Sequence, residues 1–339
     1  MVTLAQKVSY FSNPLSYPHK PAAVEVIETH MSWVFLAGDL VYKFKKPVRL
    51  PFLDFTSLDA RKTNCAEELR LNKRLAKNTY NRLVPLVQTS SGDLCFDGEG
   101  TIVEWLVEMN RLSSDATLEI QIKQGNLNRK DSDAIAQLLA KFYQTATPQI
   151  ADGHLYLQHL STEQAVSRKI LTREKFGLAD DTTLAIIGAV EDRFDAVRSE
   201  IEARIQQGFI IEGHGDLRPE HIYLSTPIQI IDCLEFNRSM RILDPYDEVN
   251  YLGMECQFIG AEWIRPVLLE TLDAHLNARP SIELMQFYTA FRAVLRARIC
   301  IAHLLDDQPM TPEIWPKRTR AYLELARVAC FNSRPAKVD

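Results

Sequence analysis

Strand-like and helix-like patterning are segregated along this chain of 339 residues, and no other feature limits its fold as strongly. Between Ala23 and about Pro47 short apolar runs are broken by turn formers: Val24, Val26 and Ile27, the polar Glu28-Thr29-His30, Trp33 to Leu36, the turn Gly38-Asp39, then Leu40 to Phe44. That spacing predicts an antiparallel meander. Residues from Ser57 to Lys77 are helix formers with apolar positions at Leu69, Leu71 and Leu75, and Ser57 or Asp59 can cap the start. Two further strand-like runs, Leu83 to Val87 and Thr101 to Val107, flank the turn-rich Ser90-Ser91-Gly92-Asp93. Beyond Met109 helical periodicity takes over, at about 132–147, 162–175, 183–207, 243–258, 282–305 and 317–331, interrupted by one β island from Phe209 to Cys233. Strands first and helices afterwards predict an α+β fold, and the length favours two lobes, with a small hairpin embedded in the helical one.

Composition serves mainly to exclude. Hydrophobic residues at 46% and charged residues at 24% are ordinary for a globular protein, and no segment offers the roughly 18 apolar residues that a membrane-crossing helix needs. Lys plus Arg (39) against Asp plus Glu (44) leaves a net charge of −5, the wrong sign for binding that rests on neutralising nucleic-acid phosphates. Neither a membrane nor a nucleic acid is therefore an expected partner. Cys65, Cys95, Cys233, Cys256, Cys300 and Cys330 are scattered without a close pair, and Met1 to Lys20 lacks the apolar run of a secretory signal, so a cytoplasmic location is expected. No Gly-Lys dipeptide occurs, which excludes a Walker-type phosphate loop within these residues.

The chemistry concentrates in the β island. Ile210-Ile211-Glu212-Gly213-His214-Gly215-Asp216-Leu217-Arg218-Pro219-Glu220-His221-Ile222 is followed by Ile230-Ile231-Asp232-Cys233-Leu234-Glu235, so that His214, Asp216, His221 and Asp232 fall at the ends of short apolar strands. Each alone reads as a turn former or a packed histidine. Four in one short segment point to a site.

This pattern resembles the catalytic and metal loops of the aminoglycoside phosphotransferase and choline kinase relatives of protein kinases. The resemblance extends upstream to Lys43, in Val41-Tyr42-Lys43-Phe44, and to Glu67 or Glu68 on the following helix; Glu68 is preferred because it shares a face with Leu71 and Leu75. Segments 28–36, Tyr42 to Pro47, Phe52-Leu53-Asp54-Phe55 and Tyr288 to Arg298 resemble more closely a bacterial group of such enzymes, in which the kinase-like region is sometimes fused to a P-loop ATP-binding domain. The implied architecture is a protein-kinase-like bilobal fold: a β-rich N-lobe with one helix over 1–103, a hinge at 104–110, and a larger helical C-lobe over 111–339 carrying the catalytic and metal loops.

What the resemblance implies is ATP-dependent phosphoryl transfer to a small-molecule hydroxyl. Asp216 would accept or orient the hydroxyl proton, and Arg218 would reach the transferred phosphate, unless it simply pairs with an acid such as Glu220. Lys43, held by Glu68, would fix the nucleotide phosphates. Thr29 and Ser32 would supply donors in a β-turn without glycine, although plain turn chemistry explains them equally, and Glu104-Trp105 would offer hinge backbone to adenine. Asp232 would ligate Mg²⁺. His221 stands where an Asn ligand is expected, so Mn²⁺ is an alternative, since Mg²⁺ prefers oxygen to imidazole. Asp247 resembles the acid that braces the catalytic loop. Tyr288, Arg292 and Arg296 line one helix face, either as an ion-pair stripe to Asp244 or Asp247 or as a pocket for an anionic acceptor. A P-loop ATPase-type partner supplied in trans is also implied. Two other readings stay open: a metal-dependent hydrolase using His214, Asp216, His221 and Asp232, and a nucleotide-binding pseudokinase, suggested by His221.

Overall fold

The computed structural model describes residues 2–50, 53–306 and 310–331, so that Phe52 and the far C-terminus lie outside the described residues. Contacts divide the chain into two compact units, one made of 1–121 with 220–238, the other of 122–219 with 239–339.

In the first unit, strands β1 (Val24–Glu28), β2 (Ser32–Ala37) and β3 (Leu40–Lys45) form the expected meander. A short hairpin, β4 (Arg49–Leu50) and β5 (Leu53–Asp54), follows, and then β6 (Tyr80–Gln88), β7 (Leu94–Phe96) and β8 (Thr101–Asn110). Six of these strands make one antiparallel sheet of order β1-β2-β3-β8-β6-β7. Period-two alternation sorts the residues of β3. Tyr42 and Phe44 join Phe11, Tyr17, Phe35 and Leu106 in one core, whereas Val41 joins Cys65, Tyr80 and Val107 in another. Lys43 and Lys45 alternate with Tyr42 and Phe44, so they share the face of Val41.

The helices of this unit are α1 (Leu4–Ser12), α2 (Leu58–Asn72) and the start of the short α3 (Leu118–Lys123). Helix α1 was not anticipated. Its signal is a capping box, in which Thr3 accepts from the Gln6 amide at 3.2 Å while Gln6 Oε1 accepts from the Thr3 amide at 2.8 Å. Helix α2 starts on Ser57, whose hydroxyl accepts from the Ala60 amide at 3.1 Å.

The second unit is helical: α4 (Arg129–Thr145), α5 (Gly153–Leu171), α6 (Asp181–Gln206), α7 (Pro245–Phe258), α8 (Ile264–Leu276), α9 (Ile282–Ala302) and α10 (Ile314–Phe331). Six of these match the periodic segments, and α8 was not anticipated. Helix α9 packs against α5, α6, α7 and α10 and buries Phe287, Tyr288, Phe291 and Arg292 together. No helix among the described residues is long and apolar enough to cross a membrane.

The β island needs correction. It is not one embedded hairpin but parts of two separate ladders. Ile211–Glu212 pairs with Ile242–Leu243 in the second unit, and Ile222–Tyr223 pairs with Gln229–Ile230 in the first. A run of apolar residues specifies a strand but not its partner, which long-range contact decides.

Candidate functional site

In the first unit the motif residues of three segments converge. Lys43 on β3 places its Nζ 2.8 Å from Glu68 Oε1 on α2 and 3.4 Å from Asp232 Oδ1. Glu68 is fully buried, as its shared face with Leu71 and Leu75 predicts, while Glu67 points outward to Arg70. A second lysine, Lys45, reaches Glu68 Oε2 at 2.7 Å and also pairs with Glu235. Burial opposes the charge on Lys43, but the carboxylates of Glu68, Asp232 and Glu235 outweigh it and raise its pKa well above the usual value. Glu68 is likewise opposed by burial and still held below the usual carboxylate range by Lys43 and Lys45. Both partners are therefore ionised at neutral pH.

Asp232 is held by its backbone. Its φ of 64° is left-handed, a conformation that costs a non-glycine residue of order 1–3 kcal/mol and persists only where the surroundings enforce it. The enforcing contacts are visible: the Ile231 amide donates to the His221 carbonyl at 3.0 Å, and the Cys233 amide to Asn72 Oδ1 at 3.0 Å. Asn72 is one helical turn beyond Glu68 and donates to the Glu68 carbonyl at 2.9 Å. One face of α2 thus positions both the carboxylate that meets Lys43 and the loop that carries Asp232. The Asp232 side chain remains 50% exposed. His221 Nε2 lies 3.6 Å from Asp232 Oδ2, too long for a hydrogen bond and near the spacing of two donors that share one cation.

The second unit carries the other loop. Gly215 has a φ of 90°, a conformation natural to glycine, and turns the chain between His214 and Asp216. Glu248 of α7, buried to 1% exposure, accepts from the amides of His214 at 3.0 Å and Gly215 at 2.6 Å, and from the Tyr143 hydroxyl at 2.8 Å. Glu248, then, braces this loop. Asp247, expected in that role, instead pairs with Arg292 at 2.6 Å and accepts from the Tyr156 hydroxyl at 3.1 Å, because a one-residue step along a helix turns the side chain by about 100°. The His214 ring is 1% exposed, and its Nδ1 accepts from the Asp216 amide at 3.3 Å. Asp216 itself is partly exposed. Its Oδ2 accepts from Arg218 Nε at 3.0 Å and Nη2 at 2.9 Å, and its Oδ1 from the Tyr251 hydroxyl at 3.4 Å. Arg218 thus orients Asp216. The Tyr251 phenol is pushed well above its usual pKa, first by burial, and stays a donor.

Two expectations meet a different structure. Glu104 and Trp105 lie inside β8, paired in register with Leu86 and Pro85, and not in a connection; the chain leaves the sheet only after Asn110. The Glu104 carboxylate is buried between Lys7 of α1 and Arg61 of α2, each at 2.8 Å, so it ties the unit together. Thr29 and Ser32 close the β1–β2 turn on themselves: the Ser32 amide donates to Thr29 Oγ1 at 2.9 Å, and Thr29 Oγ1 donates to the Ser32 carbonyl at 3.1 Å. Turn chemistry accounts for these contacts. The helix stripe resolves as two ion pairs, Arg292 with Asp247 and Arg296 with Glu255, and a hydrogen bond in which the Tyr288 hydroxyl donates to Asp244. Sequence reasoning missed Lys45, Asn72, Glu235 and Glu248. Only Lys45 and Asn72 carried a signal, standing two residues along the strand from Lys43 and one helical turn beyond Glu68.

No protein-family profile matches the chain. An uncharacterized protein of Mycobacterium tuberculosis (strain H37Rv) is 30% identical over 294 residues, which are 84% of this chain and 56% of that protein. The chain thus spans about half the length of the curated relatives it matches. Among solved structures, choline kinase from Cryptosporidium parvum superposes with a TM-score of 0.54 at 10% identity, covering 95% of each chain. A choline/ethanolamine kinase family protein from Mesorhizobium loti gives 0.53 at 14% identity, covering 95% of this chain and 99% of that one. At such identities the likeness speaks for the fold alone: this protein has the bilobal, protein-kinase-like fold that those choline and ethanolamine kinase structures share.

Proposed function

We propose that the chain is a phosphotransferase that uses ATP and a divalent cation to phosphorylate a hydroxyl of a small molecule. The observation that carries this reading is the chain of contacts Glu68–Lys43–Asp232, an ionised lysine bridging a buried carboxylate and a half-exposed one. Phosphoryl transfer asks a protein mainly for positioning and charge neutralisation. Lys43, its Nζ oriented by Glu68, offers a fixed cation to nucleotide phosphates. Asp232 is the half-exposed carboxylate of this network, with His221 Nε2 3.6 Å from its Oδ2, which suits a site for Mg²⁺ held by Asp232 with help from His221. Such an ion, when bound, neutralises phosphate charge. Asp216, oriented by Arg218 and Tyr251, would accept the proton of the attacking hydroxyl, and Glu248 holds the backbone of its loop.

The hydrolase reading gives Lys43 and Glu68 no task, and it needs as a ligand a His214 that is buried and engaged with the Asp216 amide. The test is a phosphotransfer screen of small alcohols, sugars and amino alcohols with ATP-Mg²⁺, with Asp216→Asn as the blank. The variant should keep its fold and its ATP affinity and lose roughly 10²–10⁴-fold in turnover. Equal turnover by both proteins would remove Asp216 from the chemistry. Tight ATP binding without turnover on any acceptor would favour the pseudokinase.

A further inference from the structure

A cavity of about 320 Å³, roughly ten water volumes, opens in the second unit between α7, α8, α9 and α10. One wall is aliphatic, with Leu269 from α8, Met285 from α9, Leu325 from α10 and the partly exposed Ile282 and Val328, and the rest of the lining includes the polar Gln257, Arg279, Gln286 and Thr289. Beside the aliphatic wall stands Arg265, from the first turn of α8. Gly253 of α7 makes room for it: a Cβ there would stand 2.5 Å from Arg265 Cγ, so the two helices meet through this pair.

The environment of Arg265 is unlike that of the buried arginines of this unit. Its Nη2 donates to the Thr289 hydroxyl at 2.7 Å, and that oxygen also accepts from Asn250 Nδ2 at 3.0 Å and donates to the Met285 carbonyl at 3.0 Å. Thr289 is therefore a saturated, neutral partner. Among the described residues no carboxylate comes within ion-pair distance of Arg265, and burial unopposed by any charge lowers its pKa to about 10. Arg204, Arg292, Arg296 and Arg298 each have a carboxylate, and Arg279, at the edge of the same cavity, has Asp273 at 2.7 Å. A guanidinium stays protonated even so, and a partly buried one without a counter-charge is held at a cost. An anion from solution removes that cost.

We propose that this cavity binds a small carboxylate with a short aliphatic body, the carboxylate pairing with Arg265 and the body lying along Leu269, Met285 and Leu325. The planar fork of Arg265 matches a carboxylate in two parallel hydrogen bonds, and the aliphatic wall selects against fully hydrated anions. The site is separate from the loop of Asp216. On α7 the loop contacts are Glu248 and Tyr251, whereas the cavity is lined by Gln257, about 9 Å further along the helix.

The experiment is calorimetric titration of the full chain with hexanoate, acetate, hexanol and inorganic phosphate, for the wild type, Arg265→Gln and Ile282→Asp. Hexanoate should bind the wild type one to one and at least about tenfold more tightly than the other three. Arg265→Gln should weaken hexanoate at least about tenfold and leave hexanol unchanged. Ile282→Asp, at an exposed position, should also weaken hexanoate by placing a like charge beside the aliphatic wall. Equal hexanoate affinity in the wild type and Arg265→Gln, or phosphate as good as hexanoate, overturns the proposal. Should Arg265→Gln fail to fold, unchanged binding by Ile282→Asp overturns it alone.

Discussion

Both units bury ionic networks, and they are built on different terms. In the helical unit three buried arginines each meet a carboxylate of their own: Arg204 with Asp244, Arg292 with Asp247, Arg296 with Glu255. Asp244 and Asp247 are wholly buried, and tyrosine hydroxyls from Tyr288, Tyr156 and Tyr322 complete the hydrogen bonding. In the sheet unit lysines take the place of arginines, two of them share Glu68, and Asp232 is half exposed. The first network is closed and balanced, as a structural one should be. The second holds lysine point charges and a half-exposed carboxylate within reach of solvent, which suits a network that meets a ligand.

The comparison breaks most sharply at Arg292. Arg292→Leu strands Asp247 without its cation and should cost about 3–5 kcal/mol of stability, read from urea unfolding, whereas the double variant with Asp247→Leu should recover most of the loss. A single variant as stable as the double would mean the pair was never a closed unit. The two lysines should then separate. Lys43→Met should weaken ATP binding by roughly tenfold or more with a smaller loss of stability, because it faces the exposed Asp232; Lys45→Met, at 2% exposure, should lose more stability than Lys43→Met. The reverse ranking would exchange their roles.

His159 offers a pH test of the helical network. Burial first, then the charges of Arg292 and Arg298, hold its imidazole down at about 3, against 6.5 when free. The unfolded chain therefore binds the proton first, so the contribution of His159 is complete above pH 6.5 and drains away as pH falls toward 3. Between pH 7 and pH 5 the wild type should lose about 1–2 kcal/mol more than His159→Gln. Parallel pH profiles for the two proteins would exclude that burial. The smallest effect is expected at His221. His221→Asn should shift the preference for Mg²⁺ over Mn²⁺ in nucleotide binding by several-fold, since an amide oxygen suits the harder ion. An unchanged metal ratio would take His221 out of the ligand set.

Much of this was legible in the residues. Period-two alternation set the face of Lys43, helical period chose Glu68 over Glu67, and the order of Lys43, Glu68, Asp216 and Asp232 pointed to one kinase-like arrangement. The helices α1 and α8 escaped because one is short and capped by a signal easily overlooked in a Pro-containing terminus, and the other follows α7 after a brief break. Periodicity decides which way a side chain faces within its own element, because that depends on local backbone geometry alone. It does not decide what the side chain meets. That Lys45 shares Glu68, that Asn72 holds Cys233, that Glu248 and not Asp247 braces the loop of Asp216, and that Arg265 meets Thr289 and, among the described residues, no carboxylate are facts of approach between segments far apart in the chain, and only tertiary packing sets them.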